Sequence, residues 1–369
     1  MKTFLKVILP TAILILLGFT SWRSLAKDAE PARLTAEADT LGRTVVTAHL
    51  EAPLEPGKNV LWCGTFQLAW NEVCALVGED LHFAGGDPPM VGTLNQKRFT
   101  RNDVDEASYV AIADFVRNNV HAKIQSALKA KFGNAASPRL IPARELTPRP
   151  QDIVAYTYLQ KNLEFRVPFE RLDEPIVFAG TSLPAFGMGR KTKPDHAKMY
   201  PQVAVLFYQG PDDFAVELKT KTTGDKLLLA KVKPAGTLGE TIAAVQGRLS
   251  KAEPQEATYG DVLAVPKLNF DVTRRFDELV GKRLAVKNAQ IAPDLLIVSA
   301  AQNILFELNE KGVKLRSESH IAFGCGAAAP PKNPRRMVFD KPFLVLLQRA
   351  GAKTPYFAMW VDNPEMLAH

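Results

Sequence analysis

Few residues of this sequence combine the side-chain type and the spacing that enzyme chemistry requires. Ser126 and Lys129 have the Ser-x-x-Lys spacing of some acyl-transfer enzymes, in which the serine is the nucleophile. The partner motifs of those enzymes are missing, however, and a helix often places a serine three residues before a lysine. The sequence also lacks a nucleophile elbow, a His-Glu-x-x-His pair and a Walker loop. We therefore expect a protein that is not an enzyme.

Histidines and glycines do not form a metal-binding or nucleotide-binding pattern either. The six histidines are scattered, and none lies at ligand spacing from a cysteine or a cluster of carboxylates. Gly187-Met188-Gly189 is a fragment of a glycine-rich phosphate loop, within a proline-rich stretch and with no helix predicted after it. We expect neither a metal nor a cofactor.

The three cysteines form an odd set. Cys63 and Cys74 are predicted to lie in one helix, where a rise of about 1.5 Å per residue separates them by roughly 16 Å. That distance is too long for a disulfide. We predict that both are buried thiols, that Cys325 between two glycines is exposed, and that the chain has no disulfide framework.

Composition excludes several classes of protein. The chain has 369 residues, 46% of them hydrophobic, which excludes disorder and coiled coil as descriptions of the whole chain. Its 46 basic and 39 acidic residues give a formal net charge of +7. The excess is spread thinly and forms no Lys/Arg block, so no nucleic-acid partner is expected.

Residues 1–26 have the pattern of a secretory signal peptide. Two early lysines precede an apolar run from Val7 to Phe19, and Ser24-Leu25-Ala26 provides small residues at a cleavage-type spacing. The run is shorter than the roughly 20 residues of a membrane-spanning helix. We expect a secreted or periplasmic protein. The alternative is an uncleaved membrane anchor formed by residues 7–22, which would be the sole contact with a membrane.

The apolar pattern predicts an α+β fold. Residues 27–58 are expected to be a linker and a first helix, over 32–49, and residues 59–369 to be a single domain with a helical early part. One further helix is predicted to follow Asn102-Asp103, with an apolar stripe from Tyr109 to Ile124. Two more helices are predicted over 237–250 and 274–280. The later apolar runs favour mostly antiparallel sheets, with strands over 153–158, 202–207, 214–218, 226–232, 261–272, 294–307 and 339–349.

A long segment separates the strand that ends at Gly312 from the strand that begins at Phe339. Its first part has the two-residue alternation of a half-buried strand, although it occupies a loop position. The residues of the less polar face are Val313, Leu315, Ser317, Ser319, Ile321 and Phe323. The segment then continues as Gly-Cys-Gly-Ala-Ala-Ala-Pro-Pro over 324–331, and proteases prefer exposed stretches of small residues of this kind.

Motifs around this segment resemble those of the serpin family. Phe306-x-x-Asn309-Glu310-x-Gly312 resembles the strand and hinge that lead into a serpin reactive-centre loop. The sequence Phe-Asp-Lys-Pro-Phe-Leu over 339–344 is similar to the strand pair that closes the serpin core. Residues 356–364 resemble the terminal strand with its Asn/Asp-Pro ending.

Two further motifs upstream support the same resemblance. Val-Pro-Lys-Leu-Asn-Phe over 265–270 resembles the family's Leu-Pro-Lys-Phe strand, and 165–169 resembles its Trp-x-x-Pro-Phe segment, with Phe165 where a tryptophan is usual. The resemblance extends over residues 153–366 and, more weakly, over 59–77. The correct order of the short motifs along the chain makes a chance match improbable.

The resemblance implies a serpin-like domain that inhibits proteases through an exposed reactive-centre-type loop. A serine or cysteine protease attacks the loop and forms an acyl-enzyme, and the cut loop then inserts into a sheet as a new strand. By this resemblance the hinge comprises Glu310, Gly312, Val313 and Leu315. The reactive loop comprises Ser317, Ser319, Ile321, Phe323, Cys325, Gly326 and Ala327.

The scissile bond has two candidate positions. Counting the family's spacing forward from Gly312 gives Gly326-Ala327, and counting back from Phe339 gives a bond near Pro331-Lys332. The first is preferred, because bonds beside prolines are cleaved poorly. Its small residues favour an elastase-like protease as the partner.

A non-inhibitory role is the alternative function. Inhibitory serpins usually carry a small hydroxyl residue just after the hinge glycine and then a run of alanines. Here the inward positions are Val313 and Leu315, and the outward ones are charged. Bulky side chains slow the opening of a sheet, which favours a serpin-fold protein that binds a ligand or partner or has a structural role.

Overall fold

Strands account for most of the regular structure. The computed structural model describes residues 32–133, 149–189, 196–288, 291, 295–297, 299–315 and 334–368. Arg33–His369 forms one compact unit. The predicted signal peptide or anchor lies outside the described residues, and so does the predicted reactive loop from Ser317 to Ala327.

The strands are numbered in chain order. Their bounds are β1 Leu34–Glu37, β2 Thr44–Thr47, β3 Asn59–Cys63, β4 Tyr109–Phe115, β5 Ile153–Leu159, β6 Lys161–Glu164, β7 Glu170–Arg171, β8 Ile176–Phe178, β9 Thr181–Leu183, β10 Ala185–Met188, β11 Val203–Gly210, β12 Asp213–Leu218, β13 Asp225–Lys231, β14 Gln255–Glu256, β15 Val262–Pro266, β16 Leu268–Arg275, β17 Ala301–Asn309, β18 Gly312–Leu315, β19 Arg336–Val338, β20 Phe343–Arg349 and β21 Phe357–Val361.

The α-helices are α1 Thr65–Val77, α2 Pro89–Leu94, α3 Val120–Phe132, α4 His196–Met199 and α5 Leu238–Leu249. Short 3-10 helices occur at Ala38–Thr40, Arg101–Asp103, Glu106–Ser108, Val116–Asn118, Tyr200–Gln202 and Pro364–Met366. Helix α5 begins at a capping box formed by Thr237 and Glu240. In the described part of the chain, none of the helices has both the length and the apolar character needed to cross a membrane.

An eight-stranded sheet carries the largest part of the core. Its order is β14-β11-β12-β13-β20-β21-β3-β2, with a parallel pair only between β2 and β3. Every residue of β3 and β21 is buried. Side chains of β21 also reach the five-stranded sheet, where Phe357 stacks on Phe306 of β17 with ring centroids 4.3 Å apart.

The five-stranded sheet has the order β1-β16-β17-β18-β6 and is antiparallel except for the pair β1 and β16. A four-stranded sheet has the order β19-β15-β10-β7, and β4-β5 and β8-β9 form two-stranded ladders. Helices α1, α2 and α3 all precede residue 133, together with the first four strands. The predicted α+β class with mostly antiparallel sheets is confirmed.

Two of the predicted helices are wrong. Residues 34–47 contain strands β1 and β2 instead of a helix, because β1 pairs with β16 and β2 pairs with β3. These strands are part of the compact unit and not of a linker. The helix predicted over 274–280 is replaced by the end of β16 and by turns, since β16 pairs with β17 as far as Arg275. In both cases long-range pairing outweighs local propensity.

The stripe predicted from Tyr109 to Ile124 divides into two elements. Tyr109–Phe115 is strand β4, which pairs with β5 along its whole length, and only the later part is helical, in α3. The prediction that Cys63 and Cys74 share a helix is also wrong, because Cys63 ends β3 and Cys74 lies in α1. Both are free and buried thiols, as predicted.

Candidate functional site

The predicted hinge residues form a tight β-hairpin within the five-stranded sheet. Strand β17 ends at Asn309, the chain turns through Glu310 and Lys311, and β18 begins at Gly312. Strand β18 runs antiparallel to β17 on one side and antiparallel to β6 on the other. The hinge residues Gly312, Val313 and Leu315 therefore already lie in a strand that is paired on both sides.

Gly312 has no room for a side chain. Its φ of +142° is a conformation that other residues rarely adopt. A Cβ atom at this position would lie 2.3 Å from the carbonyl oxygen of Leu163 and 2.8 Å from the Cα atom of Glu164, both in β6. Because those atoms belong to the backbone, only glycine lets the two strands approach this closely.

The Gly312→Ala variant is expected to lower the free energy of unfolding by about 2 kcal/mol, because the added methyl group must push β6 away from β18. The matched control is Gly247→Ala in α5, where a Cβ would contact nothing within 4 Å. This control should be neutral or stabilising by up to about 1 kcal/mol. Urea unfolding of both variants measures the effect, and equal stabilities would contradict the steric argument.

Glu310 anchors the hairpin through buried ion pairs. Its carboxylate oxygens lie 2.6 Å from the Lys267 Nζ atom and 2.5 Å from the Arg171 Nε atom. The side chains of Glu310 and Lys267 are each only 6% exposed. The turn is thus tied to the loop between β15 and β16 and to strand β7.

These contacts set the charge state of Glu310. Burial alone would raise its pKa, but the bonds from Lys267 and Arg171 outweigh burial, and the net result is a lowered pKa. A carboxyl whose pKa is lowered on folding contributes stability that is complete above its unfolded pKa, near 4.5, and is lost as the pH falls through the folded pKa.

The stability difference between the wild type and Glu310→Gln is therefore expected to shrink below pH 4.5. The glutamine cannot ionise, so its own stability lacks this contribution at every pH. Guanidinium unfolding of both proteins between pH 3 and pH 7 measures the difference. A difference that is constant over this range would contradict the assignment of a charged Glu310.

Backbone hydrogen bonds fix the same turn from the side of β6. The Phe165 amide donates to the Lys311 carbonyl at 2.9 Å, and the Phe169 amide donates to the Glu310 carbonyl at 2.8 Å. The two phenylalanine rings pack edge to face with centroids 4.8 Å apart. The 165–169 motif thus holds the hinge in place.

Val313 faces the core. It is fully buried and lies opposite Leu308 of β17 and Leu163 of β6 in the register of the two ladders. The next residue, Lys314, is half-buried and lies opposite Asn162. The backbone of Leu315 pairs with Lys161, whose ammonium group forms a buried ion pair with Asp225 at 2.8 Å.

If β18 continued beyond Leu315, it would run between the edges of two strands. Strand β17 is paired with β16 along its length, but its other edge pairs with β18 only through Glu307, Leu308 and Asn309. Strand β5 precedes β6 and pairs with β4 on one edge. Among the described residues, no strand pairs with the second edge of β5 or with that of residues 301–306.

A cavity of about 310 Å³ is lined by residues of the same two strands and of helix α1, together with Cys63, Leu81, Leu279, Leu284 and residues 295–297, 299 and 300. The lining takes residues 153–159 from β5 and 301–305 from β17. The unpaired edges therefore border a partly open cavity. In the described ranges, no cluster of three or more His, Cys, Asp or Glu side chains could hold a metal ion.

Glu310 and Gly312 are evident from the sequence, whereas the partners of the Glu310 carboxylate are not. The sequence around Lys267 does predict a partner, because this lysine is the one charge between the buried residues Val265 and Leu268. A buried charge of this kind needs a buried counter-charge. Arg171 gave no signal. The predicted loop residues Ser317, Ser319, Ile321, Phe323, Cys325, Gly326 and Ala327 lie outside the described residues.

Comparison with known proteins gives similarity at the level of structure. The chain is similar to Serpin48 of the insect Tenebrio molitor, with 14% identity and a TM-score of 0.41 over 84% of this chain and 92% of that one. It is similar to thyroxine-binding globulin in complex with thyroxine, with 14% identity and a TM-score of 0.45 over 83% and 93%. It is also similar to mouse protein-Z dependent protease inhibitor, with 13% identity and a TM-score of 0.47 over 83% and 91%.

No protein-family model and no curated protein sequence matches the chain. Because each of these three TM-scores lies below 0.5, we draw no argument from the similarities.

Proposed function

We propose that this chain is an exported serpin-type inhibitor of serine or cysteine proteases, which traps its target when the loop after Leu315 is cut and inserts between β17 and β5. The observation that carries the proposal is the position of β18. It already lies antiparallel between β17 and β6, and the unpaired edges of β17 and β5 continue its path.

The length of the alternating segment fits the edge of β5. Continuing the β18 register without a bulge places Ser317 opposite Ile304 on one side and Leu159 on the other. The same register places Phe323 opposite Ile153, the first residue of β5. The alternating segment thus ends where the edge of β5 ends.

The side-chain pattern fits as well. Val313 is buried, and residues two apart in a strand point to the same side of a sheet. Ile321 and Phe323 would then join Val313 on the core side, whereas Arg316 and Glu318 would face water. Cleavage separates the inserting part of the loop from the chain that leads to β19. The free energy gained from strand pairing and side-chain burial can then drive insertion.

Incubation with an elastase-like serine protease tests the function. An inhibitor of this kind forms a complex with the protease that survives denaturing electrophoresis, because the acyl-enzyme bond is trapped. Mass spectrometry of the released fragment identifies the bond, which we place at Gly326-Ala327. The variant Ile321→Arg, which puts a charge on the face that enters the core, should be cleaved without forming the complex. The control Arg316→Lys, on the opposite face, should behave like the wild type.

A non-inhibitory serpin-fold role is the second candidate, and one observation favours it. The first inserted side chain is a fully buried valine, where inhibitory members of the family usually carry a small residue. Val313 already lies in β18 before cleavage, so the bulk that must still enter the sheet is that of Ile321 and Phe323. This bulk slows insertion, and water can then hydrolyse the acyl-enzyme before it is trapped. Complete cleavage with no stable complex, for proteases of several specificities, would support this candidate.

Export rests on the signal-type pattern of residues 1–26. We expect the mature protein to begin at Lys27 when it is purified from its native host. Amino-terminal sequencing decides between this outcome and an anchor over 7–22, for which intact Met1 or Lys2 would be recovered in the membrane fraction.

A further inference from the structure

The cavity beside β5 and β17 has the size of a small-molecule site. Its volume is about 310 Å³. An engineered apolar cavity of about 150 Å³ is large enough to bind benzene. The space bordered by α1, β5 and β17 is thus large enough for a molecule with two fused aromatic rings.

The lining is uncharged. No Asp, Glu, Lys, Arg or His is among the described residues that line the cavity, and helix α1 contributes Phe66, Ala69 and Trp70. Burial raises the pKa of Tyr156, which also lines it, to about 12, with a smaller contribution from the nearby Tyr158. A charged ligand would therefore lose its hydration without gaining a counter-ion.

Two buried oxygen atoms of this lining lack a hydrogen-bond partner in the described structure, Thr157 Oγ1 and Gln302 Oε1, and only the second is a pure acceptor. Gln302 is 3% exposed, and its Nε2 atom donates to the Cys63 carbonyl at 2.9 Å and to the Thr65 Oγ1 atom at 2.7 Å. Those two bonds fix the orientation of the amide. They leave the Oε1 atom buried and without a hydrogen bond in the described structure. An unpaired buried acceptor is costly, and a ligand with a donor group would remove that cost.

We propose that this cavity binds an uncharged, largely apolar molecule with one hydroxyl donor, such as an aromatic alcohol, and that the hydroxyl donates to the Gln302 Oε1 atom. The rings occupy the apolar space between Phe66, Trp70 and the strand residue Ile304. This binding depends on the cavity alone and does not rest on the inhibitory function.

Two probes of the same shape test the proposal on the full chain. The first is 2-naphthol, and the second is 2-methylnaphthalene, in which a methyl group replaces the hydroxyl. Isothermal calorimetry is expected to show binding of both, with about tenfold higher affinity for 2-naphthol. Absence of binding by both probes, or equal affinities, would overturn the proposal.

Variants locate the site. Ala69→Phe fills the cavity from helix α1 and should abolish binding of both probes, whereas Val177→Phe, which adds the same bulk at a 61% exposed position, should leave it unchanged. Gln302→Met should remove the preference for 2-naphthol and leave 2-methylnaphthalene bound. Full affinity of folded Ala69→Phe, or a preference that survives in Gln302→Met, would show that the probes bind elsewhere and would overturn the assignment.

Discussion

The Glu310→Ala variant is expected to lose about 3 to 5 kcal/mol of unfolding free energy, the typical cost of breaking a buried ion pair by removing one partner. The loss is large because Lys267 would stay buried with an uncompensated charge. Arg171 is more exposed, so water can solvate it after the change. Chemical denaturation at neutral pH measures the effect.

A double-mutant cycle separates the ion pair from general packing. Lys267→Met should be less damaging than Glu310→Ala, and the double variant should regain part of the loss, since it leaves no buried charge at this position. Amide hydrogen exchange of Gly312–Leu315 should rise in Glu310→Ala, because the turn that starts β18 loses its anchor. A loss below about 0.5 kcal/mol, with unchanged exchange of β18, would contradict the role of Glu310.

The sequence predicted best those elements whose local pattern and tertiary partners agree. Strands β11 and β12 carry β-branched and aromatic residues, β13 has a continuous apolar run, and α5 has its capping box, so each predicted range agrees with the structure within a few residues.

Prediction failed where a distant partner decides the structure. Leu34–Glu37 becomes a strand only because β16 offers an edge more than two hundred residues later. The spacing of Tyr109, Ile112 and Val116 also suits a helix, yet the β5 ladder makes the first two part of a strand. Sequence periodicity contains no information about such an edge.

The candidate site also combines features that the sequence predicts with features that depend on distant contacts. Gly312 was found from a motif, and the structure gives its physical reason in the close approach of β6. The ion pair of Glu310 with Lys267 joins two motifs that sequence analysis had treated separately. The cavity had no sequence signal at all, because its lining comes from segments far apart in the chain, between Cys63 and Leu305, that only the fold brings together.

Cutting the loop at Gly326-Ala327 is expected to raise the thermal midpoint by about 10 °C. Insertion would bury Ile321 and Phe323, and burial of each side chain stabilises the folded protein by about 1.5 to 3 kcal/mol. Insertion would also add backbone hydrogen bonds along both unpaired edges. Differential scanning fluorimetry of intact and cleaved protein measures the shift. The matched variant Phe323→Asp should show little of it, because a carboxylate would have to enter the core.

Hydrogen exchange of the unpaired edges tests insertion most directly. We compare amide exchange of Ile153–Leu159 and residues 301–306 in the intact protein and after loop cleavage, with β12 and β13 as internal references. The account predicts that amides of both edges exchange at least about tenfold more slowly after cleavage, since a new strand protects them. Unchanged exchange at both edges, in a cleaved protein whose reference strands stay protected, would contradict it.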